Sequence, residues 1–243
     1  MTVKKNNNKD IRNLSIFEIG PVFFGVEPGK QFECISGIRS GKLYEKSWIE
    51  KERDFDIFDI KSDFFNILKL FNFDLDSFQI SSQSKGYYHP GKSASVFFGK
   101  EEIGRFGELH PLIVEKFEVK RKTCAFELDL SKLMKLYKRK SISKDELKVS
   151  QFQASTRDFS FEVKKSVLSY EMTSLIKNID KELIRNVSIF DHYEGEKINT
   201  DYKAIAIEVE IQSDQRTLKD DEIKNLSKKI VNEVQKKFSA RLR

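Results

Sequence analysis

Apolar and polar residues alternate without interruption between residues 204 and 212. One side of this run holds Ile205, Ile207, Val209 and Ile211, and the other holds Ala204, Ala206, Glu208, Glu210 and Gln212. A period of two residues is typical of a β-strand with one buried face. The preceding segment 187–193 is also strand-like, and turn-forming residues between 194 and 201 separate the two. We therefore predict a β-hairpin in a sheet that has one open face.

The rest of the C-terminal half predicts two helices and two further strands around this hairpin. Residues 155–163 alternate as a strand, whereas 166–179 and 217–234 repeat apolar residues at helical spacing. Thr217 can cap the second helix, and the tail at 238–243 offers a last short strand. The resulting order β-α-β-β-α-β predicts a ferredoxin-like domain, in which two helices cover one face of a four-stranded sheet.

The N-terminal half predicts a second antiparallel sheet. Its expected strands are 14–24, 31–40, 78–81, a hairpin within 92–109 that turns near Gly99, and 123–130. The first two strands can pair across the turn at 27–29, although Gly20-Pro21 interrupts the first of them. A helix should begin near Asp59, with Asp59 or Ser62 as its cap, and Pro111 should open a second, short helix.

Length and composition favour two domains, because 243 residues exceed the common size of a single domain, roughly 100 to 200 residues. Residues 1–13 are polar and contain three consecutive asparagines, so we expect them to be disordered or frayed. We assign 14–135 to the first domain and 151–243 to the second. Between them, the lysine-rich residues 136–150 predict a basic, solvated linker that includes a short amphipathic helix.

The formal net charge is +6 and the isoelectric point is about 9.0. This charge suits a polyanionic partner such as nucleic acid, but it suits an ordinary solvated protein equally well. The sequence has neither a run of about 18 apolar residues nor a secretory signal, so we expect no membrane contact and a cytoplasmic location.

Few side chains suggest chemistry. The sequence contains no phosphate-binding glycine loop and none of the common metalloprotease, redox or nucleophile motifs, and we expect no metal site. His89 and His110 both precede proline and are predicted to bond the backbone, while His192 is predicted to be exposed. Cys34 and Cys124 are predicted to be buried free thiols. Composition and spacing alone therefore do not indicate a reaction.

Eight segments, in order, carry a resemblance to a known family. They are IFEIGPVF (16–23), YHPGKSASV (88–96), IGRFGELHP (103–111), FELDL (126–130), STRDFSF (155–161), IFDHYEGEKI (189–198), RTLKDDEI (216–223) and the closing RLR (241–243). The chain resembles the C-terminal part of the bacterial phenylalanyl-tRNA synthetase beta subunit from about residue 11 to its end. The resemblance implies an α+β protein in which an antiparallel class II synthetase-like sheet domain precedes a ferredoxin-like, anticodon-binding domain.

The same resemblance implies a role without catalysis. The first domain should lack synthetase activity, and in agreement its motifs contain no glycine-rich, arginine-bearing segment that would hold ATP phosphates. It should instead dock the catalytic alpha subunit. ATP and Mg are expected in that subunit, and no cofactor is expected in this chain. We also expect the chain to be a fragment of a longer subunit, with its synthetase-like domain incomplete at the N-terminal end.

Carried over from the family, the residues implied to bind the tRNA(Phe) anticodon are Asp191, Tyr193, Ala204, Arg241 and Arg243. Asp191 and Tyr193 should contact the wobble guanine, and one of the two arginines should hold a phosphate or base. Family members often carry serine at the position of Ala204. The alternative function is a protein-interaction scaffold within the synthetase, whose ferredoxin-like domain does not read RNA.

The RNA-contact hypothesis requires a break in the strand that contains Asp191 and Tyr193. Unbroken alternation from Val187 and Ile189 would turn both side chains toward the core. We therefore predict that the strand ends or bulges near Phe190.

Overall fold

The protein is described by a computed structural model that covers residues 2–82, 86–139, 150–195 and 198–243. The chain divides into two compact units, residues 1–144 and 145–243. Most of the predicted basic linker, residues 140–149, lies outside the described residues.

The first residues form a short helix, α1 (Thr2–Asn8), where the polar composition predicts a disordered or frayed terminus. The side chains of Val3 and Asn7 are buried, and Lys4 forms an ion pair of 2.7 Å with Glu118. The sequence does not indicate this helix because its apolar face consists of one valine, and Glu118, which pairs with Lys4, lies more than 100 residues away.

The first unit contains the following further elements in chain order. They are β1 (Leu14–Phe23), β2 (Gln31–Ser40), β3 (Lys42–Tyr44), β4 (Arg53–Asp54), α2 (Ile57–Leu70), a 3₁₀ turn (Leu75–Ser77), β5 (Phe78–Ser81), β6 (Tyr88–Phe98), β7 (Glu101–Leu109), α3 (Pro111–Lys116), β8 (Thr123–Asp129) and α4 (Leu130–Arg139). Six strands form one antiparallel sheet in the order β1-β2-β8-β7-β6-β5, as the predicted fold class requires. The ribbon β3-β4 was not predicted, because such short strands show no alternation.

Strand β1 is continuous, although the sequence predicts an interruption at Gly20-Pro21. Pro21 lies opposite Glu33 in the β1-β2 register. Proline is tolerated at this place because β1 is the edge of the sheet, where the missing N–H does not interrupt a second strand pairing.

The core of the first unit lies between the sheet and helix α2. Phe64 of α2 is fully buried, and its ring centroid is 5.9 Å from that of Phe106 and 6.2 Å from that of Phe126. The helix cap differs from the prediction, because Asp56 rather than Asp59 or Ser62 accepts the free N–H groups. Asp59 completes the capping box by accepting the N–H of Asp56 at 2.9 Å.

Helix α4 extends the first unit beyond its predicted end at residue 135. The helix continues to Arg139, and Leu133 and Leu136 are buried in the core of this unit. Residues 136–139 therefore form part of a packed helix, where the sequence predicts the start of a linker.

The second unit has the predicted ferredoxin-like order. Its elements are β9 (Ser155–Lys164), α5 (Ser169–Ile179), β10 (Ile184–Tyr193), β11 (Tyr202–Ile211), α6 (Asp220–Phe238) and β12 (Arg241–Leu242). The antiparallel sheet has the strand order β10-β11-β9-β12. The alternation in β11 is confirmed, because Ile205, Ile207, Val209 and Ile211 are all fully buried.

Helix α6 begins three residues after the predicted cap, Thr217. Lys219 occupies the cap position, and Glu222 accepts its backbone N–H at 2.9 Å. Arg216 donates two hydrogen bonds to the same carboxylate. The carboxylate of Glu222, in the first turn, thus accepts the N–H of the cap residue, and Thr217 does not cap this helix.

Candidate nucleic-acid interface

A β-bulge at Phe190 decides which residues of β10 reach the open face of the second sheet. Ile189 lies opposite Ile207, but the next paired residue, Asp191, lies opposite Ala206. Strand β10 therefore contains one more residue than β11 at this point, and Phe190 is the extra, unpaired residue. The predicted break near Phe190 is confirmed, and Asp191 and the residues after it change faces.

A cavity of about 250 Å³ lies on this face, beside the residues that follow the bulge. It is lined by Ser160, Asp191, Tyr193, Ala204, Ala206 and Arg243. The register explains the assembly, because Asp191 lies opposite Ala206 and Tyr193 lies opposite Ala204. Ser160 of β9 lies on the other side of Ala206. Residues from four separate strands or strand ends thus meet around two alanines.

The two terminal arginines are placed differently. The backbone N–H of Arg243 donates to the carbonyl of Ser160 at 2.9 Å, and Arg243 lines the cavity. Arg241 pairs with Glu162 in the β12-β9 register and does not line the cavity. Of these two sequence-predicted residues, the structure therefore brings only Arg243 together with Asp191 and Tyr193.

Ala204 is less exposed than its place on the open face suggests. The sequence predicts an open position, but only 4% of Ala204 is accessible. The reason is its size, since a methyl group between larger neighbours forms the floor of the cavity rather than its rim. Ala206 shares this floor, and the two small side chains leave room above the sheet.

Asp191 has a carboxylate that the rest of the described chain leaves largely unused. Its Oδ1 atom accepts the backbone N–H of His192 at 2.9 Å. No Lys, Arg or His side chain among the described residues forms an ion pair with it. The Oδ2 atom and the second lone pair of Oδ1 are therefore available to a donor in the cavity.

Tyr193 packs on the backbone of Gly195. A Cβ atom at Gly195 would lie 2.4 Å from the tyrosine hydroxyl oxygen and 2.6 Å from Cζ, so only glycine leaves room for the ring. Glu194 between them is held by Lys165 at 3.0 Å and lies 3.5 Å from Nε2 of His192. The hydrogen bond with Lys165 lowers the pKa of Glu194. These contacts fix the turn that carries the ring.

The remaining sequence-predicted side chains have the expected local roles. Nδ1 of His89 accepts the N–H of Gly91, and Nδ1 of His110 accepts the N–H of Leu112 at the start of α3. Cys34 and Cys124 are buried and form no disulfide. Burial raises the pKa of Cys124 to about 12, so its thiol stays protonated at neutral pH.

The first sheet carries a polar network that sequence reasoning missed. Tyr87 donates to Glu127 at 2.7 Å and accepts from Arg105 at 2.9 Å. Arg105 also donates to Glu102, which in turn accepts from the Ser95 hydroxyl at 3.1 Å. Arg105 lies directly opposite Ser95 on one neighbouring strand and opposite Glu127 on the other. This strand register brings the network together, and a single sequence does not reveal it.

Within the described residues, no group of three or more His, Cys, Asp or Glu side chains is arranged to hold a metal ion. No described helix is long and apolar enough to cross a membrane.

Two family models match the chain, one on each side of the predicted linker. Residues 1–130 match the phenylalanyl tRNA synthetase beta chain CLM domain. Residues 150–243 match the ferredoxin-fold anticodon binding domain, which agrees with the topology of the second unit.

Curated relatives match along almost the whole chain. The phenylalanine–tRNA ligase beta subunit of Paramagnetospirillum magneticum is 35% identical over 239 residues, which are 98% of this chain and 30% of the relative. The beta subunit of Rickettsia bellii is 34% identical over 99% of this chain and 28% of the relative. The beta subunit of Ehrlichia ruminantium is 36% identical over 99% of this chain and 30% of the relative. The chain thus spans about 30% of the length of the curated relatives that it matches.

Proposed function

Because the chain belongs to the phenylalanyl-tRNA synthetase beta subunit family and carries its ferredoxin-fold anticodon-binding domain, we propose that it binds the anticodon of tRNA(Phe). In this proposal the chain positions the tRNA while a separate alpha subunit attaches phenylalanine to it. The chain itself contributes no catalytic residue, and ATP and Mg bind in the alpha subunit.

The single observation that carries the proposal is the bulge at Phe190. It brings Asp191 and Tyr193 to a cavity on the open sheet face, beside Arg243. RNA-binding domains read single-stranded bases on such faces by combining stacking with hydrogen bonds to base edges. A strand without the bulge would turn the same two residues toward the core.

Asp191 has the chemistry to select guanine. The Watson–Crick edge of guanine presents the N1 and N2 hydrogens side by side, and a carboxylate accepts both. Adenine presents an acceptor at N1, which would face the carboxylate without a hydrogen. We propose that the free lone pairs of Asp191 bind the wobble guanine in this way.

Tyr193 and Arg243 supply the remaining contacts in the proposed site. A stacked base gains about 1 to 3 kcal/mol from an aromatic ring, and the ring of Tyr193 is held in place against Gly195. The Arg243 guanidinium can bind a phosphate or a base edge at the other end of the cavity. The side chain of Ala204 in the cavity floor is only a methyl group, so the base can lie close to the sheet.

We propose that the first unit docks the alpha subunit. Its edge strand β1 carries large apolar side chains in the open, with Phe17 75% and Phe23 67% exposed. An edge strand presents unpaired backbone groups, and a contiguous exposed apolar surface is typical of a protein interface. A neighbouring subunit would cover both.

Binding of two tRNA transcripts to the wild-type chain tests the anticodon proposal. One transcript carries the tRNA(Phe) anticodon, and the other differs only in the three anticodon nucleotides. At a stated salt concentration, we expect the first to bind about tenfold or more tightly, because lost base contacts each cost about 1 to 3 kcal/mol. Equal affinities would contradict anticodon reading.

The exposed apolar strand favours a second candidate function, an interaction scaffold whose ferredoxin-like domain does not read RNA. Replacing Phe17 and Phe23 by serine separates the two functions. We expect the substitution to weaken binding of the alpha subunit in a pull-down with both purified subunits and to leave the transcript preference unchanged. Weaker alpha-subunit binding without any transcript preference in the wild type would favour the scaffold.

A further inference from the structure

The first unit contains a second, larger cavity of about 510 Å³ at the end of α1. Its volume falls within the range of about 300 to 1,000 Å³ that is typical of small-molecule sites. Four of its lining residues are cationic, namely Arg12, Lys120, Arg121 and Lys122. They come from two segments that are more than 100 residues apart in the sequence.

The backbone around this cavity is held firmly. The carbonyl of Arg121 accepts from the Thr123 hydroxyl at 3.0 Å, and the carbonyl of Lys122 accepts from the Ser40 hydroxyl at 3.4 Å. Gly41 lines the cavity with φ of 90°, a value that favours glycine. The positions of the walls thus depend on backbone contacts, which substitutions of the cationic side chains leave intact.

The charges in the wall leave an excess of positive charge. The four cations face two lining carboxylates, Asp10 and Asp54, which leaves a surplus of two positive charges. Arg12 is paired with Asp10 at 2.7 Å, and Lys122 lies 3.3 Å from Glu108.

Two cations in the cavity have no such partner. Within the described stretches of the chain, neither Lys120 nor Arg121 has a carboxylate oxygen within 4.0 Å. Asp10 attracts both charges at longer range, but no direct ion pair would have to be displaced by an anion. An arginine beside a lysine is suited to phosphate.

One residue of the cavity wall, Asn7, is buried with an unsatisfied amide group. Only 8% of this residue is exposed, and its Nδ2 atom has no hydrogen-bond partner among the described residues. A buried donor without an acceptor costs free energy, so such groups in native proteins generally have a partner. Asn7 lines the cavity, but its Nδ2 atom is shielded from solvent, so an acceptor oxygen of a ligand would meet it only after the side chain turns.

We propose that this cavity binds a nucleotide unit by its phosphate group. Lys120 and Arg121 neutralise the phosphate. The carboxylate of Asp54 in the same wall accepts a hydrogen bond from a sugar hydroxyl. This role would explain why a site for an anion contains a carboxylate. The nucleotide is either free in solution or part of an RNA chain, since both present a phosphate next to a ribose. The proposal concerns the first unit and does not depend on anticodon reading.

Titration with adenosine 5′-monophosphate and with adenosine tests the free nucleotide. We expect saturable binding of the monophosphate only, and about tenfold or more weaker binding after Lys120→Ala and Arg121→Ala together. Lys224→Ala with Lys228→Ala removes two exposed charges from α6 in the second unit and serves as the matched control. Should the double variant unfold, Arg121→Gln and Lys120→Gln separately give the same comparison with smaller losses.

Binding of a fluorescent decauridylate tests the RNA source. It is measured with Tyr193→Ala and Arg243→Ala present, which remove the stacking and phosphate contacts proposed for the anticodon site. A loss of about tenfold on adding the Lys120 and Arg121 substitutions, without binding of the monophosphate, supports the proposal with RNA as the ligand. If neither probe distinguishes the cavity variant from the α6 control, the proposal is wrong, whether or not the chain reads anticodons.

Discussion

The two antiparallel sheets differ in what their polar side chains bind. On the first sheet, Tyr87, Arg105, Glu127 and Glu102 bond to one another. On the open face of the second sheet, Asp191 bonds only to the backbone of its neighbour within the described chain, and it lies beside a cavity. The first arrangement satisfies the polar groups within the fold, whereas the second leaves them available to a ligand.

This difference separates stability from binding in experiments. Removing a member of a satisfied network leaves its partner without a bond and lowers the free energy of unfolding. Removing a side chain that binds a ligand but has no partner within the fold should change the affinity for that ligand and leave the free energy of unfolding almost unchanged.

The largest expected effect is the loss of anticodon preference in Gly195→Ala. The new Cβ would lie 2.4 Å from the Tyr193 hydroxyl, so the exposed ring must move away. We expect the chain to lose about 1 to 3 kcal/mol of preference for the tRNA(Phe) anticodon, the worth of one stacked base. Competition between the two transcripts measures it.

Two controls accompany this substitution. Gly20→Ala adds a methyl group where nothing lies within 4 Å, so it should leave the anticodon preference unchanged and should keep or slightly raise the midpoint of thermal unfolding. In a Tyr193→Ala background, Gly195→Ala should have no further effect on the preference, because the ring that it displaces is gone. Additive losses in that background would show that Gly195 acts by another route.

The next effect concerns the adjacent residues Tyr87 and Tyr88. Tyr87→Phe removes two hydrogen bonds, to Glu127 and from Arg105, and should lower the free energy of unfolding by about 1 to 2 kcal/mol. Chemical denaturation of both variants measures the difference.

Tyr88→Phe is the matched control. Tyr88 is 2% exposed, and its hydroxyl has no hydrogen-bond partner among the described residues. Removing that hydroxyl should leave stability unchanged or raise it by up to about 1 kcal/mol. If both substitutions destabilise equally, the polar network of the first sheet does not act as described.

Sequence reasoning succeeded where a pattern is local and repeated. The alternation in β11 fixed its buried residues, and the conflict at Phe190 predicted the bulge that the structure confirms. Hairpins and their turns followed from the same reasoning, including the turn at Gly99, where φ is 60°. These features depend on neighbours along one chain segment, which a single sequence displays.

It failed where distant segments decide the outcome. The helix α1, the row of Arg105 and Glu127, and the cationic cavity all join residues far apart in sequence. The predicted helix caps were wrong for another reason. Asp56 and Glu222 accept backbone N–H groups at the helix starts, but neighbouring residues in the sequence were equally plausible acceptors. Local patterns do not rank such competitors.

The smallest expected effect is on the helix side of the second unit. Bonds from Arg216 and the backbone N–H of Lys219 hold the pKa of Glu222 at about 2, below its ordinary 4.5. A lowered pKa in the folded state adds stability above about pH 4.5, and this contribution is lost as the pH falls toward 2.

We therefore expect Glu222→Gln to lower the midpoint of thermal unfolding slightly at pH 7. It should also flatten the dependence of that midpoint on pH between about 5 and 2, as calorimetry across this range would show. The anticodon preference should not change, because the helix lies on the other side of the sheet. A changed preference would mean that the two faces of the second unit are coupled.

The central claim is that Asp191 reads a guanine on the open face of the second sheet. The most direct measurement compares a tRNA(Phe) anticodon stem-loop with one in which inosine, which lacks the N2 amino group, replaces the wobble guanine. Binding to the wild type should be about tenfold weaker for inosine, and Asp191→Ala should bind both RNAs equally. A wild type that does not distinguish them, or an Asp191→Ala variant that still does, would contradict the claim.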